Sequence, residues 1–474
     1  MTQAQPTGEA TGKRMAVKTF LRRTGGFLIV AAVVQFVFFG LLVASETVPD
    51  QAITHNLGVA IKAGTYGPDG MIDRMGGTSD TFTECIVAAT GLGHPGENVF
   101  VRAAYMPRLG SCTGGAKPLL ETASGKPMPA GMVSSYSKYW AGYTVVTRPV
   151  IALFGLTGMR IVAGAMLLFS AILAVVVLGR RTGMWPAAGL LLPLGLATNL
   201  MSTPSTSFSQ AFSISVMFFG VALTAWGASK SPKWGIFAVG LSAALFCYVD
   251  LLTTPAIPWA FCTVVAAGIT FARRRALRPT LIAGVAAAAV WIIGFAGTWV
   301  SRWIFSAMFL GVRTTYKVIV GNIEFRTGGS HSGVSHALFA PTRANWVYWT
   351  THVATARFVM IAAGIVIVVA LFMIWRRHGL RTVAAWPLLS LSAIVVVVWF
   401  EVLNNHSQIH AFFVYRGYPA MLGVLLFAAL TLWRLPIAGQ VDPASTPEIA
   451  SGLAPSDKGA LEVAKTPLEA LDNV

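Results

Sequence analysis

Apolar runs of membrane-spanning length recur along almost the whole chain, and no other feature of the sequence restricts the fold so much. They can be drawn at about 25–45, 156–178, 184–201, 210–228, 234–250, 254–272, 280–299, 353–375, 384–400 and 418–433. An α-helix rises ~1.5 Å per residue, so roughly 20 such residues cross a ~30 Å hydrocarbon core. Only 11% of the residues are charged, about half of what a soluble domain carries. The expected fold class is an all-α polytopic membrane protein of about ten transmembrane helices.

The helix count makes a second, independent demand: Lys and Arg must gather in every other connection, on the cytoplasmic side. Arg180 and Arg181, Lys230 and Lys233, Arg273, Arg274 and Arg275 with Arg278, and Arg376 and Arg377 with Arg381 all fall on the side of the N-terminus. One helix missed or invented would put later clusters on the wrong side, so the pattern supports both the number and the orientation. The formal charge of +17 is spread over loop ends in this way, which suits contact with anionic membrane lipids. A nucleic-acid binder concentrates its charge on a soluble face, so no nucleic-acid partner is expected.

Residues 1–24 are polar, with Lys13, Arg14, Lys18, Arg22 and Arg23 ahead of the run at 25–45. A signal peptide cleaved near Ala44 would read similarly, but the apolar run is longer than an ordinary signal core, which favours an uncleaved first helix. Either way the following segment is exported. Residues 25–433 form the transmembrane helical domain. From Arg434 the chain is rich in Ala, Pro, Glu and Asp without helical periodicity, and 434–474 is expected to be a disordered cytoplasmic tail. Both termini would then be cytoplasmic in a plasma membrane, and the Ala, Val, Gly and Arg usage fits a bacterial one.

Two long segments interrupt the pattern on the opposite, extracytoplasmic side, at 46–148 and 300–352. Long ordered loops are more often functional than incidental. Seven of the eight histidines, all but His378, also lie on that side. The four cysteines fall into two pairs. Cys85 and Cys112 share the first loop, where an oxidising compartment would join them and hold the loop by about 2–4 kcal/mol; the alternative is two unpaired thiols. Cys247 and Cys262 lie in or beside apolar runs and read as small apolar side chains.

Chemistry is suggested at three places. MIDRMGGTSDTFTEC, at 71–85, carries Asp73, Asp80 and Glu84. If a helix begins near Asp80, with Thr78 or Ser79 as its cap, Asp80 and Glu84 share a face, and their repulsion raises one pKa or recruits a divalent cation. The plainer reading is acids at a helix start, favoured by its dipole. NNHSQIHAFFVYR, at 404–416, sets His406 and His410 four apart and ends in Tyr415 and Arg416. A transition metal would need a third protein ligand that the pattern does not supply, so no metal site is assigned. A phosphate pocket of imidazolium, Arg416 and the amides of Asn404 and Asn405 fits better, against an interfacial aromatic cap as the alternative. Asp250 ends an apolar run, where an acid is costly unless paired or facing water; it equally reads as the cap of the next helix. Lys138 and Arg148 in SKYWAGYTVVTRP, and Arg313, Lys317 and Arg326, add positive charge on the same side. Tyr136, Tyr139, Trp140 and Tyr143 suit an aromatic belt, or a sugar-stacking surface.

This layout resembles the GT-C superfamily of integral membrane glycosyltransferases: a first helix with its N-terminus inside, a long acidic first extracytoplasmic loop, many further helices, and a later segment rich in His and Arg. The resemblance is one of topology over most of the chain. It implies a polyprenyl-phosphate sugar as donor, a glycan, lipid or protein of the envelope as acceptor, and a first-loop acid as base. Asp80 is preferred over Asp73 for that role because Glu84 follows it. Asp250, His406, His410, Tyr415, Arg416, Lys138 and Arg148 would bind the donor phosphate and substrate. The chain departs from many members in having fewer helices, no adjacent acidic pair in the loop and no soluble C-terminal carbohydrate-binding domain. Two other classes fit the composition: a lipid or polysaccharide transporter or flippase, and a non-catalytic envelope assembly protein. Transporters carry charge or broken helices near the midplane, whereas these runs are almost free of interior charge.

Overall fold

The computed structural model describes residues 8–65, 70–72, 78–93, 98–109, 117–124, 126, 133–328 and 332–434. Asp73, Cys112 and the expected tail beyond Arg434 lie outside the described residues.

Helix α1 (Gly8–Ser45) carries the first apolar run. The long loop after it is built rather than irregular. It contains α2 (Asp50–Lys62), α3 (Thr81–Ala88), α4 (Val99–Tyr105), strand β1 (Pro107–Leu109), α5 (Lys117–Ala123) and strand β2 (Val133–Ser135), and the strands pair antiparallel with Arg108 opposite Ser134. The helical body follows: α6 (Thr144–Thr182), α7 (Met184–Leu196), a 3-10 turn and the short α8 (Thr203–Thr206), α9 (Phe208–Lys230), α10 (Pro232–Val249), α11 (Ala256–Arg274) and α12 (Leu277–Leu310). Next come α13 (Val312–Thr327), α14 (Ala340–His352) and α15 (Ala356–His378). The chain then passes through α16 (Leu380–Val383), α17 (Ala385–Ser390), α18 (Ile394–Val402), α19 (Asn404–Ile409) and α20 (Ala411–Val414) to α21 (Gly417–Trp433).

Among the described residues, nine helices are long and apolar enough to cross a membrane, or ten if Met184–Leu196 and Leu200–Thr206, bent by 68°, form one broken span. The protein is an all-α polytopic membrane protein. Three spans form its centre, with 72% of α9, 78% of α11 and 78% of Ala411–Trp433 buried inside the bundle. The run in α1, by contrast, is 17% buried and that in α12 22%. Their exposed Leu28, Ile29, Phe36, Ile282, Ile293 and Ile304 are side chains that only a lipid environment accommodates in such number.

Two boundaries depart from expectation. Helix α6 begins at Thr144, well ahead of the apolar run, and is broken at Gly155 (φ 66°, ψ −168°), a conformation that glycine alone adopts without strain. The break deprives nearby carbonyls of their helical donors, and Asn56 of α2 replaces them, donating from Nδ2 to Ile151 O and Ala152 O at 2.9 Å each. The segment at 300–352 is likewise mostly helix: the end of α12, then α13 and α14.

The bundle therefore has two distinct ends. The starts of α6, α9 and α11 and the ends of α10 and α12 make one, here the loop face. The α9–α10 and α11–α12 turns with Arg180 and Arg181 make the other, the basic face.

Candidate anion-binding site on the loop face

The first loop is bolted to the bundle by buried arginines. Arg148, near the start of α6, donates through Nε to Ser45 O at 2.8 Å and through Nη2 to Val48 O at 2.8 Å and Asp50 Oδ1 at 2.7 Å. Arg102 of α4 pairs with Glu46 at 3.1 Å and Asp50 at 3.0 Å. Two cations thus meet two acids in a balanced cluster. Burial raises the Glu46 pKa, and Arg148 and Arg102 oppose that shift. Arg302, buried near the end of α12, donates to Ser137 O at 3.1 Å and to Ala103 O and Ala104 O at 2.9 Å. Gly142 completes the seating: its amide donates to Tyr248 O at 2.7 Å, and a Cβ there would lie 2.6 Å from that oxygen and 2.3 Å from the Tyr248 ring. Arg148, expected to meet substrate phosphate, is an internal tie of the loop instead.

Asp80, Glu84 and Asp250 meet the start of α9. Asp80 is itself the N-cap of α3, its Oδ1 accepting from Thr83 N at 3.0 Å, so the cap is neither Thr78 nor Ser79. Its Oδ2 accepts from Gln210 Nε2 at 2.9 Å. Glu84, fully buried, accepts from Arg160 Nη2 at 2.5 Å and from Phe208 N at 3.2 Å. Burial raises its pKa most, with Arg160 opposing and Asp80 adding only the smallest contribution. Asp250 caps the turn after α10 through the amide and hydroxyl of Thr253, and Ser213 also hydrogen-bonds it. Burial pushes its pKa up to about 6. Gln210 and Ser213 are three apart on α9, one helical turn, so Asp80 and Asp250 sit one above the other on that helix. The run STSFSQAFSIS held the signal for this: polar residues at helical spacing within an otherwise apolar span.

Beyond Asp250 lies a cluster of a different kind. Leu252, in a left-handed conformation (φ 66°), lies against His406 of α19, and Arg326 Nη1 hydrogen-bonds His406 Nδ1. Arginine only donates, so Nδ1 accepts and His406 is neutral. Burial first, then Arg326 and His410, hold its pKa well below the usual histidine value. Asn405 donates to Phe325 O at 3.2 Å and thereby fixes the end of α13 that carries Arg326. Arg326 Nη2 in turn donates to Tyr139 Oη at 3.1 Å, and Tyr139 Oη to Asn322 Oδ1 at 3.3 Å. Lys138 Nζ stands over the rings of Tyr139 and Tyr136 at 5.6 and 5.9 Å, and Arg108 covers Tyr136 at 4.9 Å. Burial, then Arg326 and Arg108, depress the Lys138 pKa to about 8, and no acid among the described residues opposes them. Unlike the balanced cluster at Arg148, this one holds Lys138 and Arg326 against phenols, amides and a neutral imidazole.

Position adds to charge. Trp299 Nε1 and Trp303 Nε1 donate to Lys138 O at 2.8 and 3.3 Å. Helix α12 has 34 residues, about 50 Å, against a ~30 Å core, so its last turns reach the interfacial zone that tryptophan favours. Lys138 is therefore held at the loop-face end of α12, where Val300 and Ile304 are exposed.

Tyr415 and Arg416 lie elsewhere on the loop face. Both are buried against Asn199, whose Oδ1 accepts from Tyr415 Oη at 3.0 Å and Arg416 Nη2 at 2.7 Å. Tyr348, on α14, packs on Tyr415 and shares a hydrogen bond with Thr78 of the first loop at 3.1 Å. Cys85 is disulfide-bonded, whereas Cys247 and Cys262 are free and buried. The remaining cysteine, Cys112, lies outside the described residues. His406 and His410 have ring centroids 4.8 Å apart. No group of three His, Cys, Asp or Glu able to hold a metal occurs among the described residues.

Fold and site together define a polytopic membrane protein that gathers its buried ionisable side chains at one end of the bundle. No family model, curated protein or solved structure matches the chain.

Proposed function

We propose that this protein is a membrane glycosyltransferase that moves a sugar from a polyprenyl-phosphate donor to a glycan, lipid or protein of the cell envelope. The observation that carries the reading is the placing of Lys138 and Arg326 around Tyr139 at the loop-face end of the bundle without an acid among their described neighbours. Such a seat favours an anionic headgroup, the monoanionic phosphodiester of the donor and more so the phosphate monoester that leaves, since burial and Arg326 depress Lys138 until an anion arrives. In the reaction the acceptor oxygen bonds the anomeric carbon, the bond from that carbon to the phosphate oxygen breaks, and the phosphate leaves with its charge held by Lys138 and Arg326. The acceptor proton passes to a carboxylate, for which Asp80 is the proposed base.

Purified protein incubated with a panel of polyprenyl-phosphate sugars and envelope acceptors tests the proposal directly. Transfer that disappears in Lys138→Ala and Arg326→Ala supports it. Binding of polyprenyl phosphate without transfer to any acceptor would favour a lipid flippase instead, and absence of both would favour an assembly protein.

A further inference from the structure

The opposite end of the bundle holds a cleft that the loop-face chemistry does not use. It has a volume of about 890 Å³ and lies between the α9–α10 turn and the α11–α12 turn. Four cations line it, Lys230, Arg273, Arg274 and Arg278, and no acid does so among the described residues. Arg273 is partly committed, donating from Nη1 to Ser229 O at 2.9 Å. Lys230, Arg274 and Arg278 are exposed at the mouth.

Below the cations the chemistry changes. The deeper walls come from α10 and α12 and are small or aliphatic, among them Gly235, Val239, Ile282, Ala283, Ala286 and Ala287. Short side chains leave a slot between two helices, and Ile282 is exposed outward from the same wall. A cationic rim over an apolar slot, opening sideways from a membrane bundle, complements a molecule with an anionic head and a hydrocarbon tail. The volume lies within the ~300–1,000 Å³ typical of small-molecule sites, enough for a headgroup and the upper part of its chains.

We infer that this cleft binds one anionic phospholipid of the surrounding leaflet, with its phosphate among Lys230, Arg274 and Arg278 and an acyl chain between α10 and α12. The site differs from the diffuse attraction of basic loops to an anionic surface, because it predicts a one-to-one complex that depends on the slot as well as on the charge.

Native mass spectrometry of the detergent-purified full chain tests this with phosphatidylglycerol, phosphatidylcholine and inorganic phosphate added separately. Retention of one phosphatidylglycerol, weakened about tenfold or more in the double variant Arg274→Gln/Arg278→Gln, is the expected result. Arg376→Gln/Arg377→Gln, which removes the same charge from the basic face outside the cleft, should retain the lipid as the unaltered protein does. Ala286→Trp should block retention without altering charge. The inference is overturned if both double variants lose lipid equally, if phosphatidylcholine is held as tightly, or if phosphate alone competes as well as the lipid. Circular dichroism of each variant separates loss of binding from loss of fold.

Discussion

Lys138 and Asp80 make the sharpest predictions at the scale of single residues. Lys138 has its pKa lowered from 10.5 to about 8, chiefly by burial. Below pH 8 it is charged in both the folded and unfolded chain, and the burial penalty is felt in full. Between about 8 and 10.5 the unfolded chain holds more protons, so its contribution to stability rises with pH. Affinity for a lipid phosphate runs the other way, falling as pH rises through about 8 and the ammonium is lost. Unfolding midpoints and polyprenyl-phosphate binding, measured from pH 6.5 to 10 (on the order of the window set by that shift), should show these opposed slopes, and Lys138→Gln should flatten both. For Asp80, the Asn variant keeps an excellent N-cap, so α3 should remain seated. Glycosyl transfer should nevertheless fall by about a hundredfold or more, the usual share of a general base; an active Asp80→Asn protein would leave Asp80 as a cap and nothing else.

Single elements carry the precision of the site. The 137–140 stretch is held by Arg302, Trp299 and the Gly142 amide, three contacts from two helices, and it is this stretch that fixes Lys138. Gly142→Ala would push a methyl into the Tyr248 ring and carbonyl, so the stretch must lift. The expectation is loss of phosphate binding together with a lower unfolding midpoint. The Gly155 break in α6 is stabilised by one amide, and Asn56→Ala leaves Ile151 O and Ala152 O without it. This should cost about 1–3 kcal/mol, read as a shift of the denaturation midpoint in detergent with the loop-face site otherwise intact. Sequence patterns saw the spans of these helices but misplaced their ends. TVVTRPVIALFG holds Arg148 and Pro149 and reads as loop, and α13 carries too many polar residues to register as a span. Both are helical because tertiary neighbours satisfy what local composition leaves open.

At the scale of the whole molecule, the two faces differ in kind: buried and networked polar groups at one end, exposed arginines at the other. Single cysteines at Leu338 and Arg377, in the presence of the buried native Cys247 and Cys262, should react with a membrane-impermeant maleimide from opposite sides of the membrane. Labelling of Leu338→Cys in intact cells and of Arg377→Cys only after permeabilisation would place the loop face outside; labelling from one side would break the topology. The apolar runs and alternate basic turns already specified an all-α membrane bundle of about ten spans, because the bilayer imposes a length and a polarity that a chain must meet locally. Several loop-face residues were also legible as candidates, since ionisable groups beside apolar runs are conspicuous. Their roles were not legible. Arg148 and Lys138, ten residues apart in one motif, differ only in what surrounds them. Two acids, Glu46 and Asp50, neutralise the first, while Arg326 and Arg108 crowd the second. A charge's role follows the sign of its neighbours in space, and those neighbours come from the turn after α1, from α2, from β1 and from α13, which only the folded bundle brings together.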